Sequence, residues 1–327
     1  MPTSRAAVVT ENGGPEVLKV EERTVRPPGP GELLVEVAAS GVNFIDVYRR
    51  RGVYKTPTPF ILGEECAGRV VSVGPDVRDV SIGDVVATAA GGHGTHATTA
   101  VIDAAPAVPV PAGVEPEIAA ASMLQGITAH YLVNSTYPLR SGETALVHAA
   151  AGGVGQLLVQ TAKAKGARVI GTVGSAAKAD IAGALGADHV LRYDEVDDLT
   201  AAVRELAPAG VDVVYDGVGK ATFEASLASL RRRGMMVLFG AASGQVPPFD
   251  LQRLNPMGSL FVTRPTIAHY TAERDELLWR AREVLGAVAE GTLRVEIGGR
   301  YGLGDAGQAY RDLEGRRTTG KLLIIPE

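Results

Sequence analysis

The chain has 327 residues, 46% hydrophobic and 21% charged, close to ordinary globular usage, which excludes disorder, collagen and coiled coil as descriptions of the whole. At about 100–200 residues per domain, two domains are expected. Lys and Arg number 32 against 37 Asp and Glu, a net charge of −5, and no basic block marks a nucleic-acid or membrane surface. Residues 5 to 115 read as short strands cut by Gly and Pro, such as Glu32 to Val37 and Gly68 to Val73, so this part is mostly β. From Glu117 an Ala-rich helical stretch runs to Val133. Strand and helix patterns then alternate, with strands expected at Thr144–His148, Arg168–Thr172, His189–Tyr193, Val211–Tyr215, Met235–Phe239 and Ser259–Thr263. Parallel neighbours need helical crossovers, so the fold class is α/β with a doubly wound parallel sheet. A helix over Arg274–Glu290 and a final apolar strand, Lys321–Ile325, return to the first texture; that strand can rejoin the N-terminal β part, making the nucleotide-type domain an insertion.

Glycine is the compositional outlier: 40 copies, about 12% against a usual ~7%, as in folds whose backbone approaches a ligand closely. The buried-type strand Thr144–His148 runs into Ala149-Ala150-Ala151-Gly152-Gly153-Val154-Gly155, followed by a helical Gln156 to Lys165. Strand, glycine turn and helix start, in that order, bring backbone N–H groups to a pyrophosphate at the positive helix end. The pattern is A-x-G-x-x-G, with Ala150 where the fingerprint usually has its first glycine, and its strand and helix context carries it. A tight turn without a ligand is the alternative.

An NAD site carries an acid about 20 residues on, at the end of the second strand. Here Arg168 to Val173 ends in Gly174-Ser175-Ala176-Ala177-Lys178, a hydroxyl and a cation where an acid would repel a 2′-phosphate. NADPH is therefore the expected cofactor; Lys178 as a solvated residue in a first helical turn is the bland alternative.

The single cysteine, Cys66, excludes an internal disulfide and every zinc site that needs two thiolates. It follows two acids, which raise rather than lower a thiol pKa, so no nucleophile is expected. With no secretory pattern in Met1–Thr10 and no apolar run of about 18 residues, a cytoplasmic protein is expected. Trp279 and the run Arg231-Arg232-Arg233 read as helix packing and a solvated cap.

The segments Ser40-Gly41-Val42-Asn43-Phe44-Ile45-Asp46, Leu62-Gly63-Glu64-Glu65-Cys66-Ala67-Gly68, Ala149 to Gly155 and Thr319-Gly320-Lys321 closely resemble the zinc-independent quinone oxidoreductases, the zeta-crystallin branch of the medium-chain dehydrogenase/reductase superfamily. Gly41 to Asp46 and Phe261 to Pro265 resemble the quinone-reductase branch specifically. The resemblance covers essentially the whole chain. It implies a GroES-like β-rich domain over residues 1–124 and 265–327, an inserted Rossmann domain over 125–264, and an interdomain cleft where NADPH meets a quinone. Zinc members use a Cys and a His where this chain has Asn43 and Glu64, so no metal is expected; His93 and His96, in a glycine loop without a third ligand, read as surface residues.

Hydride transfer to a quinone asks for stacked rings and stabilisation of the oxyanion that forms. The resemblance puts Asn43 and Asp46 beside the nicotinamide ribose and amide, although Asn43 also fits as a residue that only shapes the Gly41 turn. Tyr48, Tyr54 and Arg264 are candidates for the quinone pocket: a phenol donates to the quinone oxygen and a guanidinium stabilises developing charge. Packing is the other reading of the tyrosines. Gly152, Gly153 and Val154 are expected at the pyrophosphate, and Gly174, Ser175, Lys178, Tyr193 and Arg316 around the 2′-phosphate, with Tyr193 also placed to stack on adenine. Phe239 and Gly240 close the fifth strand, where ligands meet carboxyl ends; Gln125 and Tyr131 are expected on the nicotinamide side.

Reduction of an activated C=C bond in an enone or enoyl thioester uses the same geometry and stays open. A cofactor-binding protein without turnover, crystallin-like or RNA-binding, is the reading from another class, and the acidic balance argues against RNA. A homodimer joined by edge strands near Ser259–Thr263 is expected from the resemblance and from the unpaired groups of an edge strand.

Overall fold

The chain starts in a hairpin whose first strand is buried continuously from Ala6 to Val9. In the computed structural model, which describes residues 3–89 and 94–327, β1 (Thr3–Val9) pairs antiparallel with β2 (Leu18–Thr24). There follow β3 (Glu32–Val42), α1 (Phe44–Arg50), β4 (Phe60–Ile61), β5 (Glu65–Val73), β6 (Val85–Ala89), β7 (Thr99–Asp103), β8 (Val108–Pro109) and α2 (Pro116–Tyr131). α2 runs on into a wide π-type segment, Leu132–Thr136.

The alternating stretch folds as β9 (Thr144–Val147), α3 (Gly153–Ala164), β10 (Arg168–Val173), α4 (Ala176–Ala184), β11 (His189–Arg192), α5 (Leu199–Leu206), β12 (Val211–Asp216), α6 (Phe223–Ser229), β13 (Leu230–Leu238), β14 (Phe261–Thr263) and α7 (Ile267–Tyr270). All pairs in this six-stranded sheet are parallel, in the order β11-β10-β9-β12-β13-β14. The order reverses between β9 and β12, the switch point of a doubly wound sheet. Leu146, Ile170, Val214 and Met236 share one buried core there.

The chain returns through α8 (Arg274–Ala289), β15 (Ile297–Gly302), α9 (Ala306–Glu314) and β16 (Lys321–Ile325). β15 is parallel to β16, which requires a crossover, and α9 supplies it. β16 lies antiparallel against β3, with Leu322 opposite Val42 and Ile324 opposite Ser40. The last strand thus enters the sheet built by the first third of the chain, in the order β15-β16-β3-β5-β6-β8 with β7 also on β3. Contacts divide the chain into one unit of Met1–Ile127 with Tyr270–Glu327 and a second of Thr128–His269; the first division falls inside α2.

Two expectations are corrected. The Arg231–Arg233 run is no cap but lies at the start of β13, which begins five residues before Met235, with Arg232 and Arg233 exposed as expected. A register shift between Val211 and Val213 and a positive φ of 56° at Arg233 carry the strand through it, and Asp212 Oδ1 pairs with Arg231 Nε at 2.5 Å. Trp279 is 40% exposed, its indole donating to Glu283. The buried side chain at this turn is Arg280, stacked over Trp279 and Tyr270 and donating to the Tyr270 carbonyl.

α2 and α8 touch through a missing side chain: a Cβ at Gly126 would stand 2.5 Å from Val284 Cγ1. Valine is stiff at χ1, so it yields poorly. Gly126→Ala is therefore expected to destabilise, overpacking at ~1–3 kcal/mol outweighing the helix-propensity gain of at most ~1 kcal/mol. Urea denaturation of a double-mutant cycle checks it: the cost should vanish in a Val284→Ala background, and a cost that persists there refutes the contact.

Candidate dinucleotide and acceptor sites

In the second unit β9 ends in a turn that keeps the backbone bare. Ala149 has φ of +52°. Gly152 is the N-cap of α3 and offers no side chain to cap it, so the N–H groups of the first turn, which have no partner within the helix, stay open to a ligand at its positive end. A Cβ at Gly155 would lie 2.2 Å from the Ala149 carbonyl oxygen, so helix and turn touch backbone to backbone. Ala150 is fully buried, and its methyl takes room left by Gly171 on β10, where a Cβ would come within 2.9 Å of it. That glycine is why alanine serves at the first fingerprint position. Gly152, Gly153 and Val154 are half-buried, a cradle that fits a pyrophosphate.

Gly174, Ser175, Lys178 and Tyr193 gather at the carboxyl ends of β10 and β11, next to that turn. Gly174 is exposed with open space beside it. The Ser175 hydroxyl caps α4, accepting from the Lys178 N–H at 3.4 Å, and the Lys178 side chain is half-buried. Tyr193 follows β11 and is 38% exposed, with its hydroxyl turned inward, 3.0 Å from His148 Nδ1 and 2.5 Å from Thr172 Oγ1. Phe239 and Gly240 follow β13; both N–H groups donate to the Asp216 carbonyl, and a Cβ at Gly240 would meet the Gly217 oxygen at 2.5 Å. Arg264, after edge strand β14, is exposed and donates to the Pro265 carbonyl. Arg316, also exposed, belongs to the first unit, in a left-handed turn with φ of 56° between α9 and β16. Tyr131 is 2% exposed at the end of α2, and Gln125 is half-buried in the same helix. His148 escaped the sequence reading, where it counts only as the last residue of a strand; a histidine closing an apolar buried-type strand was the available signal.

In the first unit Asn43 caps α1 and forms a capping box with Asp46, whose Oδ2 accepts from the Asn43 N–H at 2.9 Å. The Asn43 carboxamide faces inward. Its oxygen accepts from Lys321 Nζ at 2.7 Å, and its nitrogen donates to Glu65 Oε2 at 2.8 Å and to the Gly41 carbonyl at 3.2 Å. Lys321 and Glu65 are themselves paired at 2.5 Å and are 1% and 0% exposed. Glu64 Oε1 pairs with Arg49 Nε at 2.5 Å.

Two family models match: the alcohol dehydrogenase GroES-like domain over residues 29–112 and the zinc-binding dehydrogenase family over 153–277. The chain is 44% identical over 320 residues to quinone oxidoreductase 1 of Escherichia coli, covering 97% of this chain and 98% of that protein. It is 38% identical over 333 residues to a 2-haloacrylate reductase of a Burkholderia species, covering 98% and 99%. Among solved structures, the Escherichia coli quinone oxidoreductase complexed with NADPH is 43% identical with a TM-score of 0.96, covering 99% of this chain and 100% of that one. A mycobacterial protein complexed with NADPH is 47% identical with a TM-score of 0.95 over the same shares. The chain belongs to the quinone oxidoreductase branch of the medium-chain dehydrogenase/reductase superfamily.

In this quinone oxidoreductase-family chain, the two positions that zinc members fill with ligands are engaged by the chain's own cations, Asn43 by the Lys321 ammonium and Glu64 by the Arg49 guanidinium. Among the described residues no group of three or more His, Cys, Asp or Glu is arranged to hold a metal; His93 lies outside the described residues. His96 is not the surface residue expected from its glycine loop. It is fully buried, with Nδ1 2.7 Å from Ser40 Oγ and Nε2 2.7 Å from the Tyr310 hydroxyl. Burial, then the Lys321 charge, pushes its pKa down to about 3, so it is a neutral core residue. Burial, then Glu65, pushes the Cys66 thiol up to about 12. Phe44, Tyr48 and Tyr54 form an aromatic row with centroid separations of 6.4 and 5.7 Å, Tyr54 at the exposed end.

Asp46 is fully buried and its Oδ1 has no hydrogen-bond partner. Burial, then the nearby Glu64 charge, raises its pKa from 3.8 to about 7. An acid raised in the folded state holds a proton the unfolded chain has already lost, so its contribution to stability is intact below about pH 4 and declines as pH rises to about 7. Asp46→Asn keeps a neutral group throughout and is expected to gain on the wild type between about pH 5 and about pH 8. Urea midpoints at the two pH values measure this, and an unchanged difference would remove Asp46 as a buried acid.

Proposed function

We propose that this protein reduces quinones with NADPH by hydride transfer, without a metal, in the cytoplasm. The observation that carries the cofactor choice is the bare turn at Gly152–Val154 beside a second strand that ends without an acid and leads to Ser175 and Lys178. When bound, NADPH supplies the hydride that the quinone takes up. Backbone N–H groups of Gly153 and Val154 bind the pyrophosphate, and Lys178, with the Ser175 hydroxyl and Arg316, neutralises the 2′-phosphate. Phe239 and Gly240 shape the middle of the site, and Gln125, Tyr131, Asn43 and Asp46 belong to its nicotinamide end. Asn43 and Asp46 act there as a rigid floor, since each is held by buried partners. Tyr48 and Tyr54 give the quinone an aromatic wall and a phenol donor, and Arg264 stabilises charge on the reduced acceptor.

NADPH consumption with 1,4-benzoquinone, with an enone, and with neither tests the activity. Turnover with the quinone is expected; turnover with the enone alone would install C=C reduction, the chemistry carried by the 2-haloacrylate reductase name. Lys178→Ala is expected to weaken NADPH about ten- to a hundredfold and NADH hardly at all, since a charge-assisted hydrogen bond contributes ~1.5–3 kcal/mol. Equal weakening of both cofactors would show that Lys178 does not read the phosphate. In the same assay Arg264→Ala should slow quinone turnover and leave NADPH affinity intact.

We further propose a homodimer through β14. Among the described residues this strand pairs with β13 alone and so is a sheet edge, and Phe261 on it is 54% exposed, a surface that invites a second edge. Sedimentation is expected to show a dimer that Phe261→Glu converts to monomer; a monomeric wild type would end the proposal.

A further inference from the structure

The carboxyl end of the parallel sheet holds a buried hydrogen-bond chain that the cofactor reading leaves unexplained. Asp216, at the end of β12, is fully buried. Its Oδ1 accepts from the N–H groups of Val218 and Gly219 at 2.8 and 2.9 Å, and its Oδ2 from the hydroxyls of Thr222 and Ser226 at 2.7 and 2.8 Å. Four donors fill an ionised carboxylate. Because Ser226 gives its proton to Asp216, its oxygen accepts from His148 Nε2, 2.9 Å away. Burial pushes the His148 pKa down, and a neutral imidazole has one N–H, so Nδ1 is an acceptor.

Two hydroxyls reach that acceptor, Thr172 Oγ1 at 2.8 Å and Tyr193 at 3.0 Å, and they are 2.5 Å from each other. Either Tyr193 donates to Nδ1 and accepts from Thr172, or Thr172 donates to Nδ1 and accepts from Tyr193. In both arrangements the phenol hydrogen points into the protein. A surface tyrosine ordinarily keeps its hydroxyl in water and its ring against the protein; here a residue 38% exposed does the reverse, its ring lying end to end and within 16° of coplanar with the 1% exposed imidazole that its hydroxyl reaches, centroids 6.3 Å apart.

We propose that His148 is a positioning residue for cofactor binding: with Thr172 it anchors the Tyr193 hydroxyl inward and so holds the Tyr193 ring as a platform for the adenine base at the carboxyl ends of β10 and β11. This rests on the NADPH reading above. Stacking on an aromatic face is blind to the 2′-phosphate, so the anchor acts on NADPH and NADH alike.

Dissociation constants of NADPH and NADH, measured by titration calorimetry without any quinone, decide it for wild type, His148→Leu, Tyr193→Phe, the double variant, Tyr193→Ala and His148→Asn. His148→Leu and Tyr193→Phe should each weaken both cofactors by the same factor, about three- to tenfold, and the double variant no further, because both cut one anchor. Tyr193→Ala should cost about tenfold or more. His148→Asn keeps an acceptor near the place of Nδ1 and should bind nearly as wild type; it and Tyr193→Phe decide the matter if His148→Leu does not fold. Loss confined to NADPH in Tyr193→Phe would mean that the hydroxyl reads the phosphate, and would overturn the inference. So would losses that add in the double variant, or a folded His148→Leu that binds both cofactors unchanged. A wild type that binds neither dinucleotide overturns the cofactor reading and this inference with it, whereas normal binding in every variant overturns this inference alone.

Discussion

The Glu65 carboxylate is the constraint on which the first unit depends. A buried charge is expensive unless paired and hydrogen-bonded, and Glu65 draws its partners from three distant parts of the chain. These are Lys321 at the start of β16, Asn43 at the junction of β3 and α1, and the Leu124 N–H in α2, the last at 2.5 Å from Oε1. The space is made by Gly41, where a Cβ would come within 2.1 Å of Glu65 Oε2 and 2.8 Å of Lys321 Cε. Removing either member of such a pair costs on the order of 3–5 kcal/mol, because the other charge is left buried alone. One carboxylate therefore ties the returning C-terminal strand to the segment that carries Asn43, and fixes the Asn43 carboxamide with its oxygen toward the ammonium and its nitrogen toward the acid.

The second unit relies on a comparable device at another place. Asp216 orients Ser226 and His148, and His148 in turn holds the hydroxyls of Thr172 and Tyr193, so the end of the parallel sheet is lined by groups tied into one hydrogen-bond chain. In both units the acid at the origin of the network is buried and lies beneath the proposed ligand-facing residues rather than among them. Rigid support of that kind lets backbone N–H groups and aromatic faces meet a ligand without reorganising. The cations Lys321 and Arg49 extend the same logic to the positions that zinc members use for ligands, where fixed positive groups of the chain stand against Asn43 and Glu64.

The parallel sheet was legible because its signals are local. Apolar runs at strand length, glycine at the turn and helical spacing between them all lie within a few residues of one another, and the observed strands fall where those signals put them. The Gly152–Val154 turn and the missing acid after Val173 were legible for the same reason: both are statements about what a short segment contains. Those local signals went astray at Arg231–Arg233, where charge suggests a cap but the register shift in β13 is set by pairing with β12, a partner in another segment.

What the sequence by itself determined was fold class, family resemblance, the glycine turn between β9 and α3 and the lack of thiolates for a zinc site. The tertiary structure alone decided which polar residues are buried together. His96 sits in a glycine-rich loop by sequence, yet Ser40 and Tyr310 enclose it. Lys321 opens a C-terminal strand, yet its ammonium lies in the core against Asn43 and Glu65, and Tyr193 turns its hydroxyl inward to a histidine 45 residues earlier. Each of these depends on long-range pairing that brings distant side chains within hydrogen-bond reach, and a hydrogen bond's reach of about 3 Å is set by the fold, not by separation along the chain.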